Sequence, residues 1–277
     1  MIIKYLYIGG EFYVFWKEFK EKMKPVHQHQ FEDADGGEMK EKKGRWGIYP
    51  PKMASFGSSS RFLYNVSKDI EGFQFEKLLP TRVGGTANLD GYTMCGDFDV
   101  FVEAKCREIY SSNKAIVISD VYEDIYVKLQ EYYKEFSYKN NGRPQNKEKT
   151  DNEHFNCVFS FNGKDIVHFD IKQLICHFLA ISANILEDEN ANKNIKFVYL
   201  IFNPEHKTCF DNVRISPFNE RIVKIYNATK KEIESFDMKR LFAAIFKIQI
   251  ERLALQGKYT SFEFCIADQN DFKDKVI

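Results

Sequence analysis

Residues 88–108, NLDGYTMCGDFDVFVEAKCRE, put an aspartate, a Gly-Asp turn signal and an apolar strand carrying Glu-Ala-Lys into one short span. With Gly96 and Asp97 as a two-residue hairpin turn, glycine at the first central position, Cys95 opposes Phe98 and opposed residue numbers sum to a constant. Asp90 then lies opposite Glu103, and Asn88 opposite Lys105. Leu89, Val100, Val102 and Ala104 point to the other side, so this register sends an apolar set to a core and a polar set to a cleft. Opposed β-carbons lie about 4.5–5.5 Å apart, so two carboxylates and one ammonium converge. Two carboxylates that close raise each other's proton affinity unless a cation sits between them. Oxygen ligands with no cysteine or histidine pair beside them point to a hard divalent ion, Mg²⁺ or Mn²⁺. Such an ion keeps several waters, and a lysine beside one of them helps to generate hydroxide, which is apparatus for attacking phosphorus.

The surrounding chain is long enough to bury a sizeable core: 277 residues, 44% of them hydrophobic, with Phe far ahead of Trp. Forty basic residues balance forty acidic ones, which argues against a chain that coats nucleic acid by bulk charge and leaves room only for a local basic groove. Cysteines at 95, 106, 157, 176, 209 and 265 form no CxxC pair, so neither a zinc ribbon nor a redox motif is indicated. They read as reduced, mostly buried thiols of a cytoplasmic protein. The opening MIIKYLYIGGEFYVFWKEFKEKM is interrupted by Gly-Gly and Glu11 before it reaches signal-peptide or membrane length, so no membrane association is expected.

Ser58 to Ser60 offer N-caps to RFLYNVSKDI, where Phe62, Leu63, Val66 and Ile70 follow helical spacing. Val121, Ile125, Leu129, Tyr132 and Phe136 share one face of a second helix, which NNGRPQNKEKTDNEH closes as a polar loop. FNCVFSF and DIVHFD read as a hairpin across Asn162-Gly163. IKQLICHFLAISANIL reads as an apolar helix, and IKFVYLIFNP as a buried strand stopped by Pro204. A long helix over 237–256, capped by Asp237 and ended at Gly257, precedes the strand SFEFCIA. The first 23 residues are strand or helix, and the charged, Gly- and Pro-rich stretch that follows reads as loop. The expected class is therefore α/β (α+β), one mixed central sheet flanked by helices.

Asp90, twelve intervening residues, then Glu103-Ala104-Lys105 ending an apolar strand resembles the PD-(D/E)xK nuclease superfamily, which includes many type II restriction endonucleases. SSSRFLYN, LLPTRVGGTANLDGY and VFVEAKCREIY look most like a bacterial group of restriction-endonuclease-like proteins. The resemblance covers roughly residues 55–205 and implies a core ordered as a helix, a three-stranded meander, a helix and a further strand. That order maps onto the helix near 60–70, the hairpin of Asp90 and Glu103, a strand within 155–170, the helix 171–186 and the strand 195–202. Leu89 stands where the strict motif has proline, and a long insertion follows the Lys105 strand. Three segments result: an N-terminal extension over 1–54, a nuclease core over 55–205 with an insertion near 110–154, and a C-terminal helix and strand over 206–277.

By the resemblance, Asp90 and Glu103 hold Mg²⁺, for which Mn²⁺ substitutes, the Ala104 carbonyl completes the ligand set, and Lys105 orients the attacking water. Some families of this kind place a Gln-x-x-x-Tyr pair beside the metal. Here Gln173 holds the first position and His177 the second. Glu76 matches an additional acidic residue that some relatives carry upstream. The implied activity is hydrolysis of phosphodiesters in double-stranded DNA by a type II restriction enzyme, with a companion DNA methyltransferase. A repair, recombination or transposition nuclease of the same fold, or a DNA-binding protein that does not cut, are the alternatives. Two cuts at a symmetric site suggest a homodimer.

Plainer readings exist for each feature. Asp90, Glu103 and Lys105 are also what an exposed edge hairpin with an ordinary ion pair would carry. Asp97 fits turn chemistry and Asp99 a solvent contact at a strand start, although alternation puts Asp99 on the Glu103 face. Glu76 reads equally as a solvated glutamate and His177 as a structural histidine. His27 and His29 alternate beside acids without a third ligand on a rigid element. Lys139, Arg143, Lys147 and Lys149 either track phosphates or solvate a loop.

Overall fold

The computed structural model describes residues 5–8, 11–14, 16–33, 38–44, 47–55, 57–106, 116–142, 154–188, 193–204, 220–257 and 260–277. The elements run β1 (Tyr5–Ile8), β2 (Glu11–Val14), α1 (Trp16–Lys22), α2 (Pro25–Asp33), β3 (Lys42–Gly44), β4 (Gly47–Tyr49) and α3 (Ser59–Ser67). There follow β5 (Gln74–Pro80), β6 (Thr86–Cys95), β7 (Phe98–Lys105), β8 (Ile116–Ser119), α4 (Glu123–Tyr132), β9 (Phe136–Asn140), β10 (His154–Phe161) and β11 (Lys164–Asp165). The chain ends with α5 (Ile171–Glu187), β12 (Lys193–Ile201), α6 (Glu220–Glu234), α7 (Met238–Leu253), β13 (Thr260–Ala267) and α8 (Phe272–Val276).

A five-stranded mixed sheet in the order β13-β12-β7-β6-β5 organises the molecule. Strands β5, β6 and β7 form an antiparallel meander, whereas β12 runs parallel to both β7 and β13. The β6–β7 turn is the expected one: Gly96 has φ 55°, Asp97 does not have positive φ, and Cys95 opposes Phe98. The register holds as far as Gly91 opposite Val102. One face of the sheet packs Phe101, Ile195, Phe197 and Tyr199 against Phe178 of α5 and Leu241 and Ile245 of α7. The other packs Val100, Val102, Ala104, Val198 and Leu200 with Phe62 and Leu63 of α3 and Phe272 and Val276 at α8. Helix α3 begins where expected, with the Ser58 hydroxyl accepting the Arg61 N–H. Asp170 caps α5 by accepting the Gln173 N–H at 2.9 Å.

The strand expected to complete the meander from within 155–170 lies elsewhere. β10 belongs to a separate four-stranded sheet with β8, β9 and β11, and the place beside β6 is taken by β5. Phe155, Cys157, Phe159 and Phe161 alternate inward as a strand should, but alternation does not name a partner; the short connection from β5 to β6 decides it. The Asn162-Gly163 turn forms, with φ 48° and 73°, yet β11 is only two residues long. Helix α4 stops at Tyr132, so Phe136 begins a strand and Tyr133 is the buried tyrosine rather than Tyr132.

Other departures come from polar segments that structure nonetheless. The stretch read as loop after residue 23 contains α2, which covers the β5 edge. The Gln30 side-chain carbonyl accepts the Phe75 N–H at 3.1 Å, and Phe31 stacks on Phe75. Helix α7 is capped by Asp237 as expected but ends at Leu253, where Ala254 adopts the left-handed conformation with φ 52° in place of a glycine stop. Helix α6 was not anticipated at all. Among the described residues no helix is long and apolar enough to cross a membrane.

Candidate active site

The arrangement predicted for β6 fails beyond Gly91, so Asp90 does not pair with Glu103 nor Asn88 with Lys105. Leu89 packs with Phe101, Phe197 and Tyr199, not with Val100, Val102 and Ala104. Gly91 still faces the second cluster, because a β-carbon placed there would meet Phe73 and Leu63. The change of face between Gly91 and Leu89 occurs at Asp90, and across the β5–β6 ladder the residue at this level is Glu76, whose φ is 57°. A non-glycine residue with positive φ is rare, and this one marks the level beyond which β6 stays paired with β5 but no longer with β7. The Ala104 N–H, which continued pairing would direct at β6 backbone, instead donates to Asp90 Oδ2 at 2.7 Å. Asp90 therefore sits where the hairpin opens.

Glu103 and Lys105 lie just beyond that opening, on the central strand of the sheet. The hairpin is not an edge: β7 is flanked by β6 and β12, and the Glu103 side chain is 1% exposed. Lys105 Nζ is 2.6 Å from Glu103 Oε1 and donates to Gln173 Oε1 at 2.7 Å. His177 Nε2 meets the other oxygen, Glu103 Oε2, at 2.8 Å, with both side chains buried. Gln173 and His177 are four apart on α5, so one helix face holds both members of the Glu103–Lys105 pair. Tyr199 stands level with Glu103 on β12, in the parallel ladder.

The electrostatics divide the three acids. Burial would raise Glu103, but the Lys105 ammonium and His177 outweigh it and hold the carboxyl at about 2. Burial, with Glu103 and Glu76 nearby, pushes Asp90 well above the usual carboxylate range, against the opposing pull of Lys105. Burial likewise lifts Glu76 to about 7, although Asn88 donates a hydrogen bond to it. Burial opposes the charge on Lys105, yet Glu103 foremost, with Tyr199 and Asp90, keeps its proton affinity above that of a free lysine. Tyr199 is itself pushed up by burial.

The expected trio is thus gathered, together with Glu76 and Gln173. Asn88 does not oppose Lys105; it reaches Glu76 across β5. Asp99 stays apart from the trio, accepting the Tyr92 hydroxyl at 2.8 Å, and Asp97 is exposed in the turn. His27 packs edge-on against Tyr64 and Phe75, whereas His29 is exposed beside Asp33, so they do not form a metal pair. Lys139 is exposed on β9, and Arg143, Lys147 and Lys149 lie outside the described residues. Sequence reasoning missed the roles of His177, Asn88 and Tyr199. The Gln173–His177 spacing was the available signal for the first; Tyr199 gave none, since it reads as one more apolar strand residue.

Glu76 and Asp90 form no ion pair among the described residues, and theirs are the proton affinities that rise, whereas Glu103 is paired with Lys105. A divalent cation satisfies such acids by replacing a proton, so the donor chemistry fits Mg²⁺ or Mn²⁺. Among the described residues no three His, Cys, Asp or Glu side chains form a ready cage for a metal. Two carboxylates with water in the remaining positions is the arrangement Mg²⁺ commonly accepts. No family model, curated protein or solved structure matches the chain.

Proposed function

We propose that this chain is a divalent-metal-dependent endonuclease that hydrolyses phosphodiester bonds in double-stranded DNA, as a type II restriction enzyme of the PD-(D/E)xK kind. The observation that carries the reading is a fully buried Glu103 paired with Lys105, two residues on, at the point where β6 diverges and presents Asp90. The element order α3-β5-β6-β7-α5-β12 supports it, since it is the order of the core that the sequence resembles. Structural stabilisation alone explains the cluster poorly. A buried ion pair contributes little net stability, and two further acids beside it cost more.

Asp90 and Glu103 would hold the cation, whose chemistry is to polarise the phosphate and lower the pKa of bound water. Lys105 keeps a full positive charge while anchored from behind by Gln173, and its ammonium orients the nucleophile and offsets charge developing on phosphorus. Glu103 stays ionised because of Lys105 and His177. A homodimer would place two such sites on the two strands of a symmetric sequence. The test is incubation of supercoiled plasmid with the protein in Mg²⁺ or in EDTA, followed by mapping of the ends. Nicking or linearisation confined to Mg²⁺ supports the reading; DNA bound but never cut, across substrates and metals, favours a non-cutting DNA-binding protein.

A further inference from the structure

The two oxygens of Glu103 have different neighbours. Oε2 is held at 2.8 Å by His177 Nε2, and both side chains are buried, at 2% and 1% exposure. Oε1 is buried too and lies 2.6 Å from Lys105 Nζ, on the side of the cluster where the Lys105 side chain is 13% exposed. His177 Nε2 lies within hydrogen-bond distance of Oε2 and donates to it when that ring nitrogen carries the proton. The imidazole is buried in the middle of α5, 6.2 Å, centroid to centroid, from the Phe197 ring on β12. Neither partner can swing away without leaving a buried polar group unpaired.

A carboxylate restrained in this way offers a cation one oxygen. That restriction matters differently to the two common hard divalent ions. Ca²⁺ takes six to eight oxygens and readily uses both oxygens of a carboxylate, whereas Mg²⁺ takes six in near-ideal octahedral geometry. Resting on the reading of Glu103 as a cation ligand, we propose that His177 makes the site select Mg²⁺ over Ca²⁺ by holding the second oxygen of Glu103 out of the cation's reach. His177 is in this sense a positioning residue that acts through Glu103 and touches neither cation nor DNA.

The test measures dissociation constants for Mg²⁺ and Ca²⁺ alone by titration calorimetry of the full-length metal-free protein, without DNA. His177→Phe and His177→Leu remove the donor, while His177→Gln keeps an N–H of similar reach; circular dichroism and melting curves report folding. The two apolar variants should shift the ratio of the constants toward Ca²⁺ by about tenfold, and His177→Gln should stay within about threefold of wild type. A folded apolar variant whose ratio lies within about twofold of wild type overturns the proposal while leaving the metal site standing. If neither apolar variant folds, His177→Asn, polar but too short to reach Oε2, is judged by the same criterion. Wild-type protein that binds neither ion, nor Mn²⁺, overturns the metal reading itself and the selectivity proposal with it.

Discussion

Replacing Glu76 with glutamine should stabilise the metal-free protein, and do so more strongly as pH rises. The glutamine keeps an acceptor for Asn88 and removes a charge that burial and neighbouring acids disfavour. In the unfolded chain this carboxyl titrates near its ordinary 4.5; in the folded protein it titrates at about 7. Its folded-state value is raised, so the protein is stabilised below the unfolded value and loses stability as pH climbs through the folded one. Linkage puts that loss at about 1 kcal/mol by pH 5 and about 3 kcal/mol by pH 8. Relief of Asp90, which Glu76 also pushes upward, adds in the same direction. Urea unfolding of both proteins in EDTA at pH 5 and pH 8 measures the difference directly. A gain at pH 8 no larger than at pH 5 would refute the claim that Glu76 is a buried, electrostatically strained acid.

Three more substitutions probe the scaffold and the site. Gly91→Ala puts a β-carbon 2.5 Å from the buried Phe73 ring and 3.2 Å from Leu63, and should destabilise by about 2 kcal/mol in denaturant titrations. Ala254→Gly relieves a left-handed residue at the end of α7 and should raise stability by about 1 kcal/mol without changing any DNA cleavage. Gln173→Leu leaves α5 intact but frees the Lys105 ammonium from its rear contact, so plasmid nicking should fall about tenfold with the melting temperature nearly unchanged.

The parts that were legible in the sequence are those that local rules determine. The Gly96-Asp97 turn fixes the β6–β7 register as far as Gly91, Ser58 and Asp237 cap two helices, and the apolar runs of α5 and β12 are too long and too uniform to lie outside the core. Glu103 and Lys105 followed from that register and Gln173 from helical spacing, whereas Asp90 lies beyond the last β6–β7 pair and accepts the Ala104 N–H instead of opposing Glu103. What escaped depended on contacts between distant segments. FQFEKLLP does not alternate cleanly because Glu76 takes positive φ, so the first meander strand was hidden and its place assigned to β10. Beyond the last β6–β7 pair Leu89 turns to the opposite face, which strict alternation could not foresee. Helix α2 is polar on most of its surface, and it is held by Phe31 and His27 against Phe75 of β5, a segment distant in sequence, rather than by a strong apolar stripe of its own. His177 offered only its spacing from Gln173; its contact depends on Glu103 projecting from the sheet face that α5 covers.

The central claim is that Lys105 belongs to reaction machinery and not to a structural ion pair, and Lys105→Met tests it most directly. Methionine keeps most of the stem's packing and deletes the charge. On a plasmid that wild-type protein cuts in Mg²⁺, the variant should remain folded, retain its DNA affinity and cleave at least about 100-fold more slowly. Asp90→Asn, assayed alongside it, should lose metal binding as well as cleavage, giving a different signature. Cleavage by Lys105→Met at the wild-type rate would contradict the account, leaving Lys105 as no more than the partner of a buried glutamate.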